Sequence, residues 1–123
     1  MAYSPKPKTC AWFSRHTPTP AQHRSLAEYE ITVINPPGRA YSAVDAWTLI
    51  TNRIRKPDLI VAVLPLGMLR QLVERANQHG VPVVQARPLT YPDGRKRRDW
   101  EWSGKWERVL EIRKEVQEWT PDS

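Results

Sequence analysis

The chain has 123 residues, enough for one domain built on a single sheet with helices packed against it. Its formal net charge of +6 and pI near 9.8 point to anionic partners such as nucleotides, RNA or DNA, with a solvated basic surface as the plainer account. One cysteine, Cys10, excludes an internal disulfide framework and argues against a Cys-based metal cluster, and no apolar run approaches a membrane span, so a cytoplasmic protein is expected.

Residues 1–8 include Lys6 and Lys8 alternating with Pro5 and Pro7, lack a signal peptide's apolar core, and are expected to form a flexible basic arm. A single α/β domain is expected over 9–119, with a core at 9–86, a Trp-rich basic extension at 87–119 and a tail at 120–123.

Residues 9–14 are short and apolar enough for a central strand. Ser14, Arg15, His16 and Thr17 follow as an abrupt polar stretch, and a strong helix start comes next. Thr19 is placed to N-cap, Pro20 suits the first helical position and Gln22 completes a capping box. The helix is expected from Pro20 to about Glu28, with Ala21, Leu26 and Tyr29 on its inward side. A strand–loop–helix junction of this kind presents free backbone N–H groups and partial positive charge, which favours anions.

A β-branched strand is expected from Glu30 to Asn35, and Asn35-Pro36-Pro37-Gly38-Arg39 must be a loop. Ser42 and Asp45 form a second capping box, and Val44, Trp47, Ile50 and Ile54 recur at helical spacing until Pro57 stops the helix. Asp58 to Leu64 is an unbroken apolar run, the mark of a strand buried on both faces. Pro65-Leu66-Gly67 turns into a third helix with a stripe of Leu69, Leu72, Val73 and Ala76, ended by Gly80, and Val81 to Gln85 is the next strand. Helix starts are thus expected near Pro20, Ala43 and Gly67.

Strand and helix alternate through Ala86, which predicts a small Rossmann-like, three-layer α/β domain with a mainly parallel sheet. The last third differs. Pro92-Asp93-Gly94 is a turn signal, Arg95 to Arg98 is a basic run, and Trp100, Trp102, Trp106 and Trp119 cluster there. Alternation in Trp100-Glu101-Trp102 and Leu110-Glu111-Ile112 predicts a β-hairpin extending the sheet, although Val109, Ile112, Val116 and Trp119 also fit a helix. The tryptophans suit core or dimer interface, with base stacking as the functional alternative.

In an open α/β sheet, ligands bind outside the carboxyl ends of the strands. The loops there hold Ser14, Arg15, His16 and Thr17, then Asn35, Gly38 and Arg39, then Pro65 and Gly67. They offer a hydroxyl, two guanidiniums, an imidazole, an amide, and glycines that permit close backbone approach to a phosphate. No Walker loop, dinucleotide fingerprint, metalloprotease helix or nucleophile elbow is present. His23 and His79 are expected on helix surfaces, no metal site is expected from the three histidines, and no cofactor is expected. The loop residues suit phosphodiester binding, and cleavage with RNA's own 2′-hydroxyl as nucleophile needs geometry and charge stabilisation above all. Histidine is the side chain that gives and takes protons near neutral pH.

Phe13-Ser14-Arg15-His16, followed by Leu59-Ile60-Val61-Ala62-Val63-Leu64-Pro65-Leu66 leading into a helix, resembles the small CRISPR-associated, Csx-type ring nucleases of type III defence, or a related phage-encoded protein. The resemblance covers residues 9–86. It implies a CARF-like fold and a homodimer that binds cyclic oligoadenylate, usually the four-membered ring, across its two-fold axis. It also implies metal-independent cleavage of that messenger, or its sequestration, which switches the defence off. Ser14, Arg15 and His16 would form the catalytic core, with Thr17, Asn35, Gly38, Arg39, Pro65 and Gly67 contacting the ligand. Thr17, between His16 and the first proline, departs from the family pattern, and the Trp-rich third has no counterpart there. Alternatives from other classes are a non-catalytic sponge, a basic RNA- or DNA-binding module, and a structural interaction protein using the Trp-rich end.

Overall fold

The computed structural model describes residues 7–35, 46–64, 66–88, 102–110 and 116–121. In chain order these form β1 (Lys8–Phe13), α1 (Pro20–Ser25), β2 (Tyr29–Ile34), α2 (Ala46–Arg53), β3 (Leu59–Ala62), α3 (Leu66–Gln78), β4 (Val83–Pro88), β5 (Trp102–Val109) and β6 (Val116–Trp119). The strands make one sheet in the order β2-β1-β3-β4-β5-β6. β2, β1, β3 and β4 run parallel, whereas β5 lies antiparallel to β4 and β6 antiparallel to β5. The sheet is therefore mixed, and the mainly parallel expectation holds only for the half in which helices join the strands. β5 and β6 are joined by the short stretch 110–115, which leaves no room for a crossover and pairs them antiparallel.

The middle of the apolar run after Pro57 is buried on both faces, as its continuity requires. Leu59, Ile60, Val61 and Ala62 are all buried, although the strand is shorter than the run and leaves Asp58, Val63 and Leu64 outside it. Successive residues alternate between two clusters. Ile60 and Ala62 join Ala11, Phe13 and the inward sides of α2 and α3 (Trp47, Ile50, Leu72, Val73, Ala76). Leu59 and Val61 join Cys10, Trp12, Leu26, Val84, Trp106 and Trp119 on the opposite face. Helical segments thus lie on both sides of the sheet, in three layers.

α3 carries its expected stripe and ends as a Gly80 cap predicts. Gly80 sits at φ +70, Val81 N–H donates to Ala76 C=O at 2.9 Å and Gly80 N–H to Asn77 C=O at 3.2 Å. α1 differs from expectation. It stops at Ser25, Ala21 is exposed, and Tyr29 belongs to β2, so Leu26 alone of the three expected inward residues is buried. The buried helical residue is Gln22, whose side chain turns back to Thr19 in the capping box. The Ser42–Asp45 box and Val44 lie outside the described residues, and the described part of α2 begins at Ala46. β4 starts two residues later than expected and runs to Pro88.

The hairpin is present, with other residues than its alternation suggested. Its strands are Trp102–Val109 and Val116–Trp119, so Val109, Val116 and Trp119 lie in strands and not in a helix; Trp100, Glu111, Ile112 and the basic run 95–98 lie outside the described residues, and the expected Leu110–Ile112 alternation with them. Its tryptophans are core. Trp106 is 2% and Trp119 6% exposed, and Trp102 lies half-buried against the same cluster.

The sheet also curls. β2 and β6 are its opposite edges, five strand spacings or about 24 Å apart in a flat sheet. Yet the Tyr29 and Trp119 rings stand 6.5 Å apart. The hairpin folds over the face on which, among the described residues, the six-residue α1 is the only helix, and a register shift between Ala86 and Pro88 marks the bend. Among the described residues no helix is long and apolar enough to cross a membrane.

Cys10 lies on β1 with no exposed surface, and burial pushes its thiol up to about 12, opposed only in part by the backbone hydrogen bond with Val61. An unfolded thiol ionises near 8.5. Above that pH the unfolded state has lost a proton that the folded state keeps, so this contribution is complete below the unfolded value and is lost as pH rises toward the folded one. Unfolding free energy should therefore fall by about 1.4 kcal/mol per pH unit between roughly pH 9 and 12 on account of this group. Urea titrations of the wild type and of Cys10→Ala should show the shallower slope in the variant; equal slopes would mean that the thiol ionises in the folded protein.

Candidate functional site at the carboxyl ends of β1 and β3

β1 has β2 on one side and β3 on the other, and the chain leaves β1 and β3 toward opposite ends of the sheet. Their carboxyl ends therefore flank a topological switch point, where neighbouring connections diverge and leave a crevice. The ladder closes with Val63 N–H donating to Phe13 C=O at 3.2 Å. Beyond it the loop 14–19 leads into α1, and Val63 and Leu64 lead toward α3.

The loop is held by side chains that grip its backbone. Trp12 Nε1 donates to His16 C=O at 2.6 Å, and His16 N–H donates to Ser14 Oγ at 3.1 Å. At the far end Thr19 Oγ1 accepts from Gln22 N–H at 3.2 Å while Gln22 Oε1 accepts from Thr19 N–H at 2.9 Å. Such a cap is worth about 1 kcal/mol. It also alters the expectation of a donor-rich helix start. Gln22 N–H is taken by the cap, His23 N–H by Thr19 C=O, and Pro20 has none, so most first-turn donors are spent and attraction for an anion falls mainly to side chains.

Arg15, His16 and Thr17 are exposed around this crevice, and Asn35 is exposed beyond β2 on the same edge of the sheet, one strand away from Phe13. Ser14 is the exception. It is 1% exposed, and its hydroxyl already accepts from His16 N–H, so it orders the loop and does not face solvent. One residue past Phe13, it continues the strand's alternation toward the Trp12 side. Gly67 is exposed in the first turn of α3, and a Cβ built there meets nothing within 4 Å, so no close approach within the protein requires glycine. Gly38, Arg39 and Pro65 lie outside the described residues.

Two features escaped the sequence. Val63 is 58% exposed just past β3, where its N–H bonds Phe13 C=O, and supplies an apolar surface at the carboxyl ends of the strands; only the exact end of β3 would have revealed it. The grip of Trp12 on His16 joins a side chain to a backbone atom, which leaves no mark in residue spacing. His23 and His79 are both exposed as expected; His79 also stacks on Trp47, with ring centroids 4.7 Å apart. Among the described residues no group of three or more His, Cys, Asp or Glu is arranged to hold a metal.

Compared with known protein families, curated proteins and solved structures, the chain matches none of them.

Proposed function

We propose that the crevice between β1 and β3 binds a phosphodiester ligand, and that this ligand is a cyclic oligoadenylate, the four-membered ring in the first instance. The parallel half of the sheet then serves as a Rossmann-like nucleotide-binding unit, and two copies hold the ring across a two-fold axis. What supports this is the exposure of Arg15 and His16 together on a backbone-clamped loop at the switch point, with the exposed apolar Val63 following β3 at the same ends of the strands. A fixed cation suits the phosphate, and an exposed apolar side chain suits a base. The basic net charge of +6 favours encounter with an anion.

The proposed chemistry opens the ring with its own 2′-hydroxyl. The 2′-oxygen attacks the adjacent phosphorus, the bond from phosphorus to the 5′-oxygen breaks, and a 2′,3′-cyclic phosphate and a 5′-hydroxyl result. One proton leaves the nucleophile and one reaches the leaving oxygen, and His16 moves one of them. Arg15 stabilises the charge that develops on the phosphoryl oxygens. Ser14, buried, acts by ordering the loop.

The test is incubation with labelled cyclic tri-, tetra- and hexa-adenylate, with and without EDTA, and separation of products. Linear products ending in 2′,3′-cyclic phosphate, formed equally with EDTA, are expected. A ring bound tightly and recovered intact assigns the protein to sequestration, and cleavage abolished by EDTA overturns the proposed chemistry. Arg15→Ala should weaken binding by about 1.5–3 kcal/mol, the range for hydrogen bonds to charged groups. Changing Arg97 and Arg98 to alanine should weaken it less; the reverse ranking in a titration favours a general nucleic-acid surface in the C-terminal third.

A further inference from the structure

The geometry points to a role for the Trp-rich C-terminal hairpin that the proposed chemistry does not use: through Trp106 and Trp12 it positions the loop that carries His16. β1 and β5 are three strand spacings apart, about 14 Å in a flat sheet. The curl brings the Trp12 and Trp106 rings to 6.1 Å, edge to face at 84°. That arrangement is the favoured one for an aromatic pair and fixes the tilt of each ring.

Each ring then spends its single N–H on the junction between β1 and β2. Trp12 Nε1 holds His16 C=O at 2.6 Å, and Trp106 Nε1 holds Ser25 Oγ at 2.9 Å, where α1 ends. Loop and helix end are thus tied to one aromatic pair, half of which comes from a strand 81 residues away in sequence from Ser25. Trp102 backs Trp106 at 4.9 Å, and its own N–H is occupied by Lys105 C=O at 2.8 Å. With its N–H on Ser14 and its C=O on Trp12, the His16 backbone is fixed on both sides, which leaves the imidazole as the part that projects. Both bonds are partly buried, where they are stronger than in water. Trp12 and Trp106 are positioning residues. That His16 is the working group rests on the proposed function; that the loop is ordered by the tryptophan pair does not.

The test compares wild type, Trp12→Phe, Trp106→Phe and Ser25→Ala by backbone relaxation and amide hydrogen exchange, without ligand. In Trp12→Phe, which keeps a ring and loses the donor, order parameters of Arg15 to Thr17 should fall from about 0.85 to below about 0.6, and the His16 amide should exchange at least about tenfold faster. Ile60 and Val61 on β3 should change less than about twofold. Trp106→Phe should give the same pattern at the loop although its indole bonds to Ser25, and Ser25→Ala should loosen α1 more than the loop. An unchanged loop in Trp12→Phe overturns the inference. So does equal loss of protection in loop and β3, which would mean that the tryptophans only stabilise the core. A second arm measures single-turnover opening of cyclic tetra-adenylate. At protein concentrations that saturate binding, Trp12→Phe should slow it by roughly 10–100-fold, because a small misplacement of a reacting group costs that much. A disordered loop with unchanged turnover overturns the link to His16. Wild type inert toward the ring removes the proposed function and leaves the relaxation arm to decide on the clamp alone.

Discussion

Trp106→Ala is expected to lower the unfolding free energy by about 3–5 kcal/mol, the range for removing a buried aromatic side chain. Trp106 is 2% exposed, touches the Trp12 and Trp102 rings, and bonds to Ser25. Truncation opens a cavity on the face that carries the short α1, and collapse there is limited because β5 is paired on both sides. Domains of this size have about 5–15 kcal/mol in total, so the variant should lie near the edge of folding. Urea titration followed by fluorescence measures it, with Trp102→Ala, half-buried, as the milder comparison. A loss below about 1 kcal/mol in Trp106→Ala would mean that the hairpin is not part of the cooperative core.

His16→Ala should leave the fold and the affinity for cyclic oligoadenylate nearly unchanged while lowering single-turnover cleavage by roughly 10²–10⁴-fold, the contribution of a positioned acid or base. Stability should hold because both bonds that secure this residue use its backbone, which alanine retains. Loss of affinity with cleavage of the remaining complex unimpaired would make the imidazole a binding group. Cleavage at the wild-type rate would remove His16 from the mechanism.

The parallel half of the fold was legible because its signals are local. A four-residue strand buried on both faces leaves a continuous apolar run, as Leu59 to Ala62 does, and Thr19, Gln22 and Gly80 mark helix ends by chemistry that acts within a few residues. The hairpin was legible in kind but not in position. Trp102 to Val109 forms a strand through Gly104 at φ +87, so its inward residues do not follow a clean period of two. In the candidate site, the loop after Phe13 could be read from the abrupt end of the apolar stretch and the capping box that follows; the orientation of Ser14 could not. A serine one position past a strand end faces in or out according to where the strand stops, and that is set by pairing with β3. The clamp on His16 depends on the curl of the sheet, a property of the assembled strands.

The contact between Tyr29 and Trp119 joins residues 90 positions apart and has a kinetic consequence. Pairings so distant in the chain form late, because the intervening segment must be closed before they return any stabilisation. During synthesis β1 to β4 emerge first, with one aromatic face of the sheet still uncovered. The rate-limiting event should accordingly be docking of the hairpin, and refolding followed by tryptophan fluorescence should report that step directly.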